Sequence, residues 1–336
     1  MRWVIVSILS LGLALAAPTG HLKINFIDVE GGQATLFVLP TGESLLVDAG
    51  WPTKDLRDAH RIADAAKSYG LTRIDYVLVT HYHLDHVGGV PQLASVIPIG
   101  TLIDHGPNNE ADAGAKRLEA EYQKVLASGV KRLTVRPGDV LPLKGARIEV
   151  VTANGERIPG NVAGGGQKNA ACEVVARRPP DPSENARSIG FVLTFGRFKT
   201  VDLADLTWNK ELELVCPVNA LGTADLFIVS HHGWAESDSP ALVHGLHPRV
   251  AIMDNGARKG GSPSVWQTIT SSPGLEDLWQ LHYSIEGGEK ANVPPERIAN
   301  VDEKCQGLGI EADATADGSF SVKNLRSGYS KQYKSK

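Results

Sequence analysis

The stretch THYHLDHVGG, residues 80–89, places three histidines and one aspartate within six positions. It directly follows the apolar run 74–79, whose β-branched residues and polar ending are typical of a buried strand. The cluster therefore lies where a strand ends and a loop begins, which is a common place for a metal site. A solvated histidine-rich loop is the alternative interpretation, but four ligand-type residues at this spacing, followed by Gly88-Gly89, favour metal binding.

The four ligand-type residues form two pairs. Alternate residues of an extended backbone point the same way, so His81 and His83 can converge on one ion. Asp85 and His86 follow after the turn and can face a second ion from the other side. Imidazole combined with carboxylate favours Zn²⁺, and the same ligands accept Mn²⁺ or Fe. The stretch therefore predicts two metal ions, most simply two Zn²⁺.

The amino-acid composition is typical of a globular protein. The chain has 336 residues, with 42% hydrophobic and 21% charged residues. Its formal net charge of -4 offers no overall attraction to nucleic acid or to anionic membrane. A nucleic-acid substrate is therefore not favoured, although a local basic groove can exist within an acidic total.

The N-terminus predicts export. Arg2 precedes an apolar run over residues 3–17, and Ala14-Leu15-Ala16 offers a small-x-small cleavage signal. We therefore predict a signal peptide at residues 1–17, no transmembrane anchor after its cleavage, and a secreted or periplasmic protein. An uncleaved anchor is the alternative. Export permits disulfides, and three cysteines predict one bridge and one free thiol with the pairing left open: Cys172, Cys216 and Cys305.

The remaining pattern is a meander of short strands, then helix and strand in alternation, twice. It predicts an α/β fold in which two mixed β-sheets form a sandwich flanked by helices. The hydrolase domain is expected over residues 18–285, with a C-terminal extension at 286–336 that ends in a polar tail. A loose segment at 153–187 is long enough to be an insertion that overhangs the site, with surface decoration as the alternative.

Three further sets of ligand-type residues follow apolar runs. Asp48 comes after one run, Asp205 after a second, and the His231-His232 pair after a third. An aspartate at a strand end is usually a turn or cap residue. Together with the histidine stretch, however, these sets can gather at one rim of the sandwich. The Arg258-Lys259 turn is a weaker candidate for holding an anionic substrate group.

Together, these ligand-type residues resemble the pattern of a known family. Asp48, the HxHxDH motif at residues 81–86, Asp205 and the stretch His231-His232-Gly233 are similar to the metallo-β-lactamase superfamily, which implies an αββα sandwich with a one- or two-metal site. The Asn185-x-x-Ser188 pattern and the ADL and SHHG stretches resemble the hydrolase domain of the DNA-uptake protein ComEC. Secreted phosphorylcholine esterases share much of this arrangement.

The resemblance implies a role for each residue. His81 and His83 would bind one metal, Asp85 and His86 the other, and Asp205 would bridge them. One of the two adjacent histidines would complete the second metal's ligands while the other meets substrate. The expected catalytic residues are Asp85, His231 and His232. Three residues would support the ligands without touching metal: Asp48, Asn185 and Ser188.

Two positions depart from the superfamily pattern. Many members place a further histidine before the bridging aspartate, where this chain has only His105 outside the motif context and the segment 185–188 at the family position. The bridging aspartate is also usually preceded by glycine, whereas Ala204 stands here.

The metals imply the chemistry. A water that loses its proton between two divalent cations becomes the nucleophile. The expected function is an exported hydrolase acting on a phosphodiester bond of a small molecule or polymer. The alternatives are an acyl hydrolase that opens lactones or β-lactams, and a secreted non-catalytic module with a vestigial site. Oligomeric state stays open.

Overall fold

The computed structural model describes residues 20–335, so the predicted signal peptide at residues 1–17 lies outside the described residues. In chain order the strands are β1 His21–Phe26, β2 Thr35–Val38, β3 Ser44–Val47, β4 Ile74–Leu78, β5 Ile99–Asp104, β6 Lys131–Thr134, β7 Arg147–Ala153, β8 Glu156–Arg157, β9 Gln167–Lys168, β10 Gly190–Phe195, β11 Phe198–Asp202, β12 Val218–Asn219, β13 Leu226–Ile228, β14 Val250–Met253, β15 Asp277–His282, β16 Ile298–Asn300, β17 Ile310–Thr315, β18 Phe320–Asn324 and β19 Ser330–Tyr333. The helices are α1 Arg57–Ser68, α2 Val90–Val96, α3 Ala113–Ala127, α4 Trp208–Val215, α5 Pro240–Leu246 and α6 Pro263–Thr270. Within residues 20–335, no helix combines the length and apolar character that crossing a membrane requires.

The strands form two large sheets that pack face to face. The first sheet has the order β19-β18-β17-β1-β2-β3-β4-β5-β6, and the second has β16-β15-β14-β13-β11-β10-β7-β8. Buried side chains of both sheets form one apolar cluster between them. Within it, the rings of Phe37 and Phe191 meet edge to face with centroids 5.9 Å apart.

Helices cover both outer faces. The buried face of α1 presents Ala59, Ile62, Ala63 and Ala66 to the first sheet, as the helical spacing of these residues predicts. Helices α2 and α3 pack on the same face, while α4, α5 and α6 contribute to a separate apolar cluster on the second sheet. The predicted αββα sandwich of two mixed sheets is confirmed.

Parallel strands determine where the ligand-type residues lie. Strands β3, β4 and β5 run parallel, and so do β11, β13 and β14 in the other sheet. Residues that follow the carboxyl ends of such strands meet at one edge of a sheet. The loops after these six strands therefore carry the ligand-type residues to a common rim.

The segment 153–187 is tied down by several contacts. It contains strands β8 and β9, and β9 pairs with β12 beyond α4. A disulfide joins Cys172 to Cys216, which directly follows α4, and Cys305 is a free thiol. The prediction of one bridge and one free thiol is confirmed, and the structure settles the pairing.

Residues 286–335 of the predicted extension add strands to both sheets. Strand β16 pairs with β15, and β17 pairs antiparallel with β1. Tyr333 at the end of β19 is 1% exposed. Its hydroxyl donates to Asp277 Oδ2 at 2.8 Å and accepts from Trp279 Nε1 at 3.0 Å. The last strand of one sheet is thus bonded to the other sheet.

We expect Tyr333→Ala to lower the free energy of unfolding by about 3 kcal/mol or more, because it empties a buried aromatic site and leaves Trp279 Nε1 without its partner. Guanidinium denaturation measures the change. Tyr329→Ala is the matched control, since Tyr329 is 39% exposed. Equal denaturation midpoints for the two variants would show that β19 adds little to the fold.

Candidate metal centre

Asp48 holds the histidine stretch in place. It follows β3 and is fully buried. Its Oδ1 accepts from the Thr80 backbone N–H at 2.8 Å, and its Oδ2 accepts from the Thr80 hydroxyl at 2.7 Å. The same Oδ2 lies 2.7 Å from His86 Nδ1. Because a carboxylate accepts from the protonated Nδ1, this bond leaves His86 Nε2 to face the rim.

Four buried side chains converge at the rim with ligand atoms that all lie within 4.8 Å of one another. They come from three loops: Asp85, His86, Asp205 and His232. His86 Nε2 lies 3.2 Å from both Asp85 Oδ2 and Asp205 Oδ2. His232 Nε2 lies 3.3 Å from Asp85 Oδ2 and 3.5 Å from Asp205 Oδ1. Two carboxylates and two imidazoles therefore surround one small volume.

Within the described part of the chain, several buried ligand atoms of this cluster lack hydrogen-bond partners, as expected for a site that holds a metal ion. His86 Nε2, Asp205 Oδ1 and His232 Nε2 are buried, yet none makes a hydrogen bond of acceptable geometry among the described residues. Buried polar atoms are normally paired, and these three all face the same volume. Nitrogen and carboxylate oxygen are also the donors that Zn²⁺ and other divalent transition metals prefer. The donor set fits a divalent cation.

The charges of these groups depend strongly on one another. Burial raises the pKa of Asp205, but His86, His231 and His232 outweigh it and hold that pKa well below its usual value. Burial lowers the pKa of His86, but Asp205, Asp85 and Asp48 hold it well above its usual value. Burial and the Lys259 ammonium lower the pKa of His232, yet Asp205 and Asp254 raise it to about 9. In the protein alone, imidazolium protons thus supply the positive charge that the carboxylates require.

The other predicted metal pair is more open. His81 Nε2 lies 3.0 Å from His83 Nδ1 and 3.9 Å from Asp205 Oδ2. The His83 side chain is 29% exposed, and its Nε2 lies 3.2 Å from Glu110 Oε1. His81 thus approaches Asp205 of the compact cluster, whereas His83 contacts His81 and Glu110, and the nitrogen atoms of the two histidines are turned partly to each other.

His231 and Asn185 lie beside this second side. His231 Nε2 is 3.5 Å from Asp205 Oδ2 and 3.4 Å from Asn185 Nδ2. Asn185 Oδ1 and Ser188 Oγ are buried without a hydrogen-bond partner in the described chain. Asn185 belongs to the segment 153–187, so the end of that segment overhangs the centre. The roles predicted for Asn185 and Ser188 stay predictions, and the structure places Asn185 beside His231.

Backbone strain is concentrated at the centre. Asp48, Ala204, His231 and His232 have φ values of 58°, 49°, 51° and 54°. Non-glycine residues in this left-handed region carry a local penalty of roughly 1–3 kcal/mol each and persist only where surrounding contacts hold them. Ala204 stands where the resembling superfamily usually has glycine, and this φ is the conformation that glycine adopts freely.

Two carboxylates that support the centre, Asp254 and Glu184, were not predicted from the sequence. Asp254 Oδ1 lies 3.5 Å from His232 Nδ1 and supports that imidazole from behind. It directly follows β14, and the same strand-end signal that identified Asp48 could have found it. Glu184 Oε2 lies 3.0 Å from His105 Nε2 and accepts from the Tyr82 backbone N–H. His105 thus holds the overhanging segment, and no motif marks Glu184 in the sequence.

Comparison with known proteins agrees with this geometry. Residues 27–175 match the model of the metallo-beta-lactamase superfamily. This part of the chain, which is less than half of its length, is similar to that superfamily. The matched residues include the compact motif His81–His86, whereas Asp205 and His232 lie beyond them.

The individual relatives are distant. The lactamase-like protein nscB of Neosartorya fischeri is 32% identical over 128 residues, which are 36% of this chain and 38% of that protein. The hydroxyacylglutathione hydrolase of Serratia proteamaculans is 32% identical over 101 residues, 30% of this chain and 36% of that protein. The chain thus spans under two fifths of these relatives. Among solved structures, the metallo-beta-lactamase fold protein YhfI from Bacillus subtilis is 16% identical to this chain with a TM-score of 0.46. The match covers 78% of this chain and 96% of that one.

We expect metal uptake to release protons. In protein stripped of metal, the raised pKa values of His86 and His232 keep both imidazoles protonated at pH 7, and each must lose its proton to bind a cation. Metal affinity should therefore rise as pH increases from 6 toward about 9. Titration calorimetry of Zn²⁺ in buffers of different ionisation enthalpy measures the released protons. Zn²⁺ binding without proton release at pH 7 would contradict these charge states.

We expect the two adjacent histidines to behave differently. His232→Ala should remove metal, because Nε2 of His232 is one of the four convergent ligand atoms. His231→Ala should keep metal at the compact cluster, while losing roughly 10²–10⁴-fold in turnover if the imidazole handles a proton. Mass spectrometry measures the metal content of both variants, and Asp64→Ala on the surface of α1 is the control. Equal metal loss in both histidine variants would overturn the assignment.

Proposed function

We propose that this chain is an exported, metal-dependent hydrolase that cleaves a phosphodiester bond. The observation that carries the proposal is the compact cluster of Asp85, His86, Asp205 and His232, whose unpaired buried atoms suit a divalent cation. Bound divalent cations would supply an activated water and neutralise the charge that grows on the attacked oxygen. We propose two ions, with Zn²⁺ first and Mn²⁺ or Fe as alternatives.

The chain's own residues would do the rest. Asp85, His86, Asp205 and His232 would hold one ion, and His81 and His83 would hold the other. The Asp48 carboxylate orients His86 from behind. His231 is available to hold a proton at Nε2, because burial lowers its pKa and keeps the imidazole neutral near pH 7. The overhanging segment at 153–187 would shape the substrate site.

Several features support a phosphodiester as substrate. The ComEC-like and phosphorylcholine-esterase-like patterns of the sequence both point to phosphate esters. The Lys259 ammonium contacts Asp85 at the rim, so the site offers a positive charge to an anionic substrate. Nucleic acid remains one candidate within this class, although the net charge of -4 does not favour it.

Export is supported by two features that lie far apart in the sequence. The N-terminal 17 residues have the composition of a secretory signal. The Cys172–Cys216 disulfide suits an oxidising compartment.

Acyl hydrolysis is the second candidate. Hydroxyacylglutathione hydrolases are among the relatives that match this chain at 32–34% identity over about a quarter to a third of its length. The same metals can polarise a carbonyl oxygen as well as a phosphoryl oxygen. Substrate preference therefore has to be measured directly.

A panel of substrates tests the proposal. We expect the Zn²⁺- or Mn²⁺-loaded protein to cleave bis-p-nitrophenyl phosphate, and the chelator EDTA to abolish cleavage until metal is restored. Asp205→Ala should be inactive, because the carboxylate lies within 4 Å of four histidines. A lactone, nitrocefin and single-stranded DNA are assayed in parallel. Rapid turnover of the lactone or nitrocefin without phosphodiester cleavage would favour the acyl hydrolase, and absence of bound metal would favour a non-catalytic module.

A further inference from the structure

The turn after β14 is locked against the metal centre by close backbone contacts. The Gly261 N–H donates to the His232 carbonyl oxygen at 3.0 Å, and the Gly256 N–H donates to the Lys259 carbonyl oxygen at 2.8 Å. A Cβ on Gly260 would lie 2.0 Å from the His232 carbonyl oxygen, so only glycine permits this approach. A Cβ on Gly31 would lie 3.0 Å from the Lys259 Cβ. The backbone of Lys259 is thus fixed from both sides.

The lysine side chain is directed into the centre. Its Nζ makes an ion pair with Asp85 Oδ2 and lies over two indole rings, 5.1 Å from the centroid of Trp51 and 5.6 Å from that of Trp234. The side chain is only 19% exposed. Two aromatic faces and a carboxylate therefore hold the ammonium at one place beside the ligands.

Metal binding would weaken the ion pair between Asp85 and this ammonium. The same Oδ2 also lies 3.2 Å from His86 Nε2 and 3.3 Å from His232 Nε2, both ligand atoms of the compact cluster. Once the carboxylate is engaged by a divalent cation, the ammonium loses most of its counter-charge while staying poorly hydrated between two rings. A partly buried ammonium in that position favours a new anion.

We infer that Lys259 is a specificity-determining residue that binds an anionic oxygen of the substrate phosphate beside the metal centre. The inference rests on the proposed phosphodiesterase function for the reaction itself. It implies that the enzyme selects esters carrying negative charge at the reacting phosphorus over neutral esters. The faces of Trp51 and Trp234 would then flank the organic part of the substrate.

The neighbouring residue offers a matched control. Arg258 carries the same charge one position earlier in the same turn, but its side chain is 69% exposed and pairs with Glu303 at 2.6 Å. Arg258→Met therefore makes the same change of charge and a similar change of size outside the centre. Lys259→Met removes the ammonium, and Lys259→Arg keeps the charge with a different shape.

Phosphate binding and kinetics test the inference on Zn²⁺-loaded protein. We expect Lys259→Met to weaken inorganic phosphate binding at least tenfold by calorimetry and to raise KM for bis-p-nitrophenyl phosphate similarly, with a smaller effect on kcat. Zinc content should stay at the wild-type value, and turnover of the neutral ester p-nitrophenyl acetate should fall by a smaller factor than turnover of the diester. Lys259→Arg should recover part of the loss, and Arg258→Met should match wild type throughout.

Three results would overturn the inference: equal phosphate affinity in Lys259→Met and Arg258→Met, no phosphate binding by the wild type, or loss of zinc from Lys259→Met together with Lys259→Arg. The last result would make the lysine part of the support for the ligands. If the expected phosphate pattern appears while no variant cleaves the diester, the anion site stands and the proposed reaction fails. The two ideas are therefore tested separately.

Discussion

The structure depends on compensating the negative charge of two buried carboxylates that lie beside the same two histidines. Asp85 and Asp205 lie at the rim with 7% and 2% of their surface exposed, and both approach the same pair of imidazoles. Two carboxylates buried this close together require positive charge nearby, either as protons on the histidines or as metal ions. The surrounding loops are built around that requirement.

The fold meets this requirement by bringing parallel strand ends from two sheets to one rim. Asp48 follows β3, and the loops after β4, β11 and β13 supply the ligands. The chain must turn sharply at each of these ends, which explains the left-handed conformations of Asp48, Ala204 and the two adjacent histidines. Burial of the apolar core between the sheets offsets the free-energy cost of this local strain. Positioning is therefore a property of the whole sandwich.

The glycines after the histidine stretch show the same constraint. A Cβ on Gly88 would lie 2.2 Å from the Leu84 carbonyl oxygen, and a Cβ on Gly89 would lie 2.0 Å from the Ala49 carbonyl oxygen. The metal loop thus packs directly against its own turn and against the backbone that follows Asp48. A side chain at either position would displace the loop that carries Asp85 and His86.

Much of this arrangement could be predicted from local sequence, and the reason is physical. The HxHxDH motif, Asp48 and Asp205 each follow an apolar strand, so chain order alone places them at strand ends. Contacts made across the fold could not be predicted: the cysteine pairing, the Glu110 and Glu184 carboxylates, and the choice of His232 over His231 depend on how distant loops meet. Strands β17 to β19 were missed because small residues such as Ala312 and Ala314 weaken the apolar alternation.

We expect the four convergent side chains, Asp85, His86, Asp205 and His232, to bind a divalent cation. Anomalous diffraction at the zinc absorption edge, from crystals of the full chain soaked in Zn²⁺, measures this most directly. We expect a strong anomalous peak within bonding distance of the Asp85 and Asp205 carboxylates and of Nε2 of His86 and His232. Crystals that take up no zinc there, while the four side chains keep their positions, would contradict it.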